Sequence, residues 1–171
     1  ILGALPEMLQ TTHGSLHLGL EIERAKTLLI RGGTSSVGLA ALALGKRAGL
    51  HVASTTRGES KVAMLRAAGA DHVLLESESL SAAVRERFPG GVDRVLELIG
   101  ASTLRDSLRC AGPGGVVCMT GMLGGQWILE RFEPMGAIPT GVKLTTYSGG
   151  SEDITAAQLQ EYVTLVERGA R

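Results

Sequence analysis

Short apolar runs alternate with longer amphipathic stretches along most of the chain. "TLLIRG" (27–32), "LHVASTT" (50–56), "DHVLLE" (71–76), "VDRVLELIG" (92–100), "GGVVCMTGM" (114–122) and "GVKLTTYSG" (141–149) have the length and composition of strands. Between them the pattern predicts helices over about 36–48, over 59–69 (ended by Gly69), over 79–88 and over 102–110, and an amphipathic helix over 154–170. On the first of these, Val37, Ala41, Leu44 and Ala48 share one face, and Gly45 interrupts it at a cost of roughly 1 kcal/mol relative to Ala. Strand runs that are apolar on both faces, alternating with helices, imply a parallel sheet covered on both sides. With right-handed crossovers this is a doubly wound, Rossmann-type α/β fold of about six strands, expected as one domain over residues 1–171.

The junction between the first strand and its helix carries the densest chemistry. In "RGGTSSVG", Gly32 and Gly33 suit a tight turn, and Gly38 suits close helix-on-strand packing. Thr34, Ser35 and Ser36 add hydroxyls that can bond phosphate, and the helix N-terminus adds free N–H groups and a positive dipole end. The pattern G-x-x-S-x-x-G places Ser35 where a central glycine is common. A plain tight turn explains the glycines too, but the strand before, the helix after and four further βα-type units favour a dinucleotide site. The end of the second strand then selects the dinucleotide. An acid there would suit a ribose 2′-hydroxyl, whereas this chain has Thr55, Thr56 and Arg57, with Lys61 one turn on. Hydroxyls and cations suit a 2′-phosphate, so NADPH is expected; solvated surface charge is the competing reading of Arg57 and Lys61.

Several ordered segments resemble the medium-chain dehydrogenase/reductase superfamily, in particular its zinc-independent quinone oxidoreductase branch: "LIRGGTSSVGLAALALGKRAG", "LRAAGADHVL", "VDRVLELIG", "LRCAGPGGVVCMTGMLGG" and "IPTGVKLTTYSGG". The resemblance covers nearly the whole chain. It implies NADPH-dependent hydride transfer to a quinone or an activated alkene or carbonyl, with residues 1–171 as the cofactor domain and a GroES-like catalytic domain outside them. It places Gly33, Thr34, Ser35, Ser36 and Val37 on the pyrophosphate, and Thr55, Thr56, Arg57 and Lys61 around the 2′-phosphate. Ile99, Gly100, Gly121, Met122 and Leu123 would face the ribose and nicotinamide side. It also implies a homodimer through the edge of the sixth strand. An enoyl reductase of the same superfamily, free-standing or within a polyketide or fatty-acid synthase, is the alternative enzyme; a non-catalytic nucleotide-binding protein is the alternative class.

Two positions depart from the family pattern. Glu7 stands where zinc-dependent relatives have a cysteine ligand, so no catalytic zinc is expected and His13 reads as a capping or packing residue. Glu76 stands where many quinone oxidoreductases have a tyrosine near the adenosine. Glu97 reads either as a structural acid or as a buried acid tuned for proton transfer. No catalytic residue is assigned, because the cofactor carries the hydride.

Composition narrows the partners. Seventeen basic and 17 acidic residues give zero formal charge, without a long basic run, which argues against nucleic acid. No apolar stretch reaches the ~20 residues of a membrane helix. Two cysteines in 171 residues do not make a disulfide scaffold, and a cytoplasmic location is expected.

Overall fold

The computed structural model describes residues 5–167. Six strands form one parallel sheet: β1 (Thr27–Arg31), β2 (His51–Thr56), β3 (His72–Leu75), β4 (Val92–Glu97), β5 (Ala111–Met119) and β6 (Lys143–Thr146), in spatial order β3-β2-β1-β4-β5-β6. The doubly wound expectation holds. The order reverses between β1 and β4, so the carboxyl ends of these two strands open a crevice. β6 forms one edge and is hydrogen-bonded to β5.

Helices cover both faces. On one side the π-helical turn Ser15–Gly19, α2 (Ser36–Arg47) and α3 (Val62–Ala67) pack over Leu28, Ile30, Val52 and Leu96, and α1 (Leu5–Gly14), which runs into that turn, packs on α2. On the other, α4 (Leu80–Arg87) and α5 (Ala101–Cys110) pack over Leu29, Ala53, Val95 and Val117. Adjacent strand residues thus feed opposite cores, the period of two expected of a sheet buried on both faces. The short α6 (Pro134–Ala137) precedes β6, and α7 (Ala156–Glu167) lies against α1. No helix among the described residues is long and apolar enough to cross a membrane. Cys110 and Cys118 are both buried free thiols, and burial pushes Cys110 up to about 12.

Two differences from the sequence pattern have physical reasons. The buried stripe of α2 is Gly38, Ala41, Leu42 and Gly45, rotated from the Val37–Ala48 face. Small residues let the helix axis come close to the sheet; a Cβ at Gly45 would lie 3.0 Å from Leu28 Cδ2. The residues Leu5–Gly14, which carry no strong periodic signal, form α1; its buried Thr12 donates to Met8 O within the helix, and its buried His13 finds a long-range partner in Tyr162.

The amino end of the sheet is clasped by Asp93. Its Oδ2 accepts from the backbone N–H of Lys26 at 2.8 Å and of Thr27 at 2.9 Å, and its own N–H donates to Thr27 Oγ1 at 2.8 Å. Burial pushes the Asp93 carboxyl up, but these donors outweigh it and hold the group below its ordinary 3.8. Asp93→Ala should cost about 1–2 kcal/mol by urea denaturation at pH 7. A depressed folded value stabilises above the unfolded one, so the difference between the two proteins should be full above 3.8 and vanish as pH falls through the lower folded value. At the other end, a Cβ on Gly38 would meet Gly32 O at 2.5 Å and Gly33 Cα at 2.8 Å, both rigid backbone. Gly38→Ala should therefore destabilise by about 1–3 kcal/mol, although alanine has the better helix propensity.

Candidate functional site

The turn from β1 into α2 is held by its own hydrogen bonds. Gly32 adopts φ +93°, a conformation that suits glycine, and its N–H donates to Thr55 Oγ1 at 2.9 Å. The Gly33 N–H donates to Thr55 O at 3.1 Å, and the Ser35 N–H to Gly32 O at 3.2 Å. Ser35 is the N-cap of α2: its Oγ accepts from the Gly38 N–H at 3.0 Å and donates to Gly32 O at 2.8 Å. The serine at the usual glycine position thus spends its hydroxyl on the turn itself.

This accounting leaves the N–H groups of Thr34, Ser36 and Val37 without a protein partner among the described residues. Three amide donors at the N-terminus of a 12-residue helix, at the positive end of its dipole, form a site for an anion. The donors suit a pyrophosphate, which is acceptor-only. Ser54 Oγ, behind Gly33, is fully buried and has no hydrogen-bond partner, and a Cβ on Gly33 would collide with it.

A cleft of about 310 Å³ opens over this turn. Thr34, Ser35, Thr55, Thr56 and Arg57 form its walls on the β1–β2 side, with Glu76 after β3. Ile99, Leu123 and Gly124 close it from the β4–β5 side. It adjoins a wider groove of about 630 Å³ that shares Arg57, Glu76 and Ile99 and has Arg31, Thr103 and Asp106 in its floor. Of the sequence-predicted residues, Thr34, Ser35, Thr55, Thr56, Arg57, Ile99 and Leu123 are brought together here. Gly33 lies in the turn, Ser36 and Val37 open α2, and none of the three lines the cleft. Gly100 is buried at φ +117°, and Gly121 packs on Leu98, where a Cβ would come within 2.6 Å of Leu98 Cα. Met122 flanks Gly100 rather than the cleft. Lys61 is exposed at the end of the 3₁₀ turn Glu59–Lys61 and is not part of the cleft wall.

Beneath the cleft runs a buried polar network that the local sequence pattern does not announce. Arg31, the last residue of β1, is only 1% exposed. Its Nε donates to Glu76 Oε2 at 3.0 Å, and its Nη1 to Asp106 Oδ2 at 2.9 Å and Ser107 Oγ at 3.1 Å. The Thr103 carbonyl shares the Nη1 donors at 3.2 Å, and the Ser77 carbonyl accepts from Nη2 at 3.3 Å. Burial pulls the guanidinium down, but Glu76 foremost, with Glu97 and Asp106, holds it above its ordinary value. Glu76 Oε1 accepts from Thr55 Oγ1 at 2.5 Å, the same hydroxyl that holds the Gly32 N–H.

Glu97, paired in register with Arg31, is fully buried. Its carboxylate accepts from the N–H groups of Ile99 at 2.6 Å and Gly100 at 3.0 Å and from Ser107 Oγ. Burial raises its value, and all its partners lie in the adjoining turn and helix; it is the structural acid of the two readings. His13 donates or accepts at Tyr162 Oη, 2.8 Å from its Nδ1, in a separate hollow between α1, α2 and α7. Burial and the neighbouring His17 lower its value. No group of three or more metal-ligating side chains is gathered among the described residues.

Comparison with known proteins places this geometry. Residues 36–168 match the family model of the zinc-binding dehydrogenases. The erythronolide synthase of Saccharopolyspora erythraea is 35% identical over 117 residues, covering 66% of this chain and 3% of the synthase. A mycobacterial quinone oxidoreductase superposes with a TM-score of 0.81 at 25% identity, covering 96% of this chain and 52% of that one. A mycobacterial protein solved in complex with NADPH gives 0.80 at 26% identity, over 96% and 53%. The chain thus spans about half the length of these solved structures. From the fold, the glycine-rich turn and the match over residues 36–168 together, the chain belongs to the zinc-binding dehydrogenase family, within the medium-chain dehydrogenase/reductase superfamily of oxidoreductases, and corresponds to its cofactor-binding half.

Proposed function

We propose that this chain binds NADPH along the carboxyl edge of its sheet and serves an oxidoreductase that reduces quinones or activated alkenes and carbonyls. The observation that carries the reading is the set of three free amide donors where β1 passes into α2, of which Thr34 lines the same cleft as Thr55, Thr56 and Arg57. The first set suits the pyrophosphate and the second a 2′-phosphate about one nucleotide away. The similarity to a quinone oxidoreductase and to a protein solved with NADPH supports the same assignment.

When bound, the nicotinamide supplies the hydride. The chain's own residues then bind and orient: Thr34, Ser36 and Val37 through their N–H groups, Arg57 through its charge, and Ile99 and Leu123 by covering apolar surface and excluding water. An enoyl reductase within a larger synthase is the second reading, favoured by the match to the erythronolide synthase.

Arg57→Ala separates the phosphate from the rest of the cofactor. Calorimetric titration should show NADPH affinity falling about 10-fold or more with NADH affinity nearly unchanged, because the lost charge meets only the 2′-phosphate. Equal loss for both dinucleotides would contradict the assignment of Arg57.

A further inference from the structure

The cleft has an acid in its wall, which is unexpected beside a phosphate. Glu76 lies between Thr55 and the groove it shares with Arg57, with its side chain 12% exposed. A carboxylate there repels a phosphate dianion, while Arg57 on the same wall attracts it. The two effects compete within one small, partly enclosed volume, where salt screens them weakly.

Glu76 is not a free acid, however. Thr55 Oγ1 donates to one of its oxygens at 2.5 Å, and Arg31 Nε to the other at 3.0 Å. Arg31 is 1% exposed, so its charge is answered by protein groups alone. Its other carboxylate, Asp106 at 2.9 Å, is also bonded by the Ser81 hydroxyl at 2.6 Å and faces α4, away from Thr55. Glu76 is therefore the acid of this network that stands in both the cleft and the groove beside Arg57. The guanidinium compensates it from beneath the sheet edge through one oxygen, while Thr55 holds the other.

We propose that Glu76 and Arg31 form a specificity pair for the adenosine end of the cofactor: Glu76 limits affinity for a 2′-phosphate, and Arg31 is the buried counter-charge that sets how strongly. The pair rests on the reading of this cleft as an NADPH site and goes beyond it, because it assigns the discrimination to an acid and to a residue outside the cleft wall. Both act as positioning and charge-setting groups, with no part in hydride transfer.

The test is the ratio of NADPH to NADH affinity, measured calorimetrically on the full chain, its Glu76→Gln and Glu76→Ala variants, and Arg31→Met. The two dinucleotides differ only at the 2′ position, so a merely structural change moves both together. Both Glu76 variants should raise the preference for NADPH by about three- to tenfold, and Arg31→Met should lower it by a similar factor. If circular dichroism shows Arg31→Met unfolded, the two Glu76 variants decide alone. A ratio unchanged in both Glu76 variants, with the parent protein still preferring NADPH, overturns the specificity pair and leaves the NADPH reading standing. A parent protein that binds neither dinucleotide overturns both.

Discussion

The structure depends on one buried cation. Placing the Arg31 guanidinium at the end of a central strand removes it from water, which costs several kcal/mol unless every proton finds an acceptor. Here Glu76, Asp106, Ser107 and the carbonyls of Thr103 and Ser77 supply them. Those acceptors follow β3 or lie on α5, so the network pins the carboxyl edge of the sheet at the point where the strand order reverses. Through Glu76 and Thr55 it reaches the Gly32 N–H, and through Ser107 it reaches Glu97 and the turn after β4. The two turns that flank the cleft are thus fixed by one connected set of hydrogen bonds.

That fixation explains how the glycine-rich turn works without its usual central glycine. Ser35 closes the turn from within, capping α2 and bonding Gly32 O. The Gly32, Gly33, Ser35 and Gly38 N–H groups are consumed in holding shape, and those of Thr34, Ser36 and Val37 remain. Division of labour among backbone donors, rather than glycine count, leaves three amides free for the pyrophosphate proposed above.

The regular part of the fold was legible from the chain. Six strand runs and the helices between them follow local periodicity, and small residues at 32, 33 and 38 mark the close approach of α2 to the turn. Thr55, Thr56 and Arg57 were legible because the end of β2 lies a fixed distance past the glycines. The rest depends on long-range partners. Arg31 bonds Glu76 45 positions away and Asp106 75 positions away, and in sequence it is merely a polar residue ending an apolar run. Glu76 stood out as a departure from the family pattern, but its counter-charge lay out of reach of any local rule. Lys61, expected near the 2′-phosphate, is an exposed residue of the 3₁₀ turn before α3 and does not line the cleft.

Amide-resolved NMR of the chain titrated with NADPH reads out the three free donors of the turn one by one. The Thr34, Ser36 and Val37 amides should shift most, moving downfield as they take up hydrogen bonds to the pyrophosphate. Shifts that spare these three and gather instead at the His13–Tyr162 hollow would contradict that placement of the pyrophosphate.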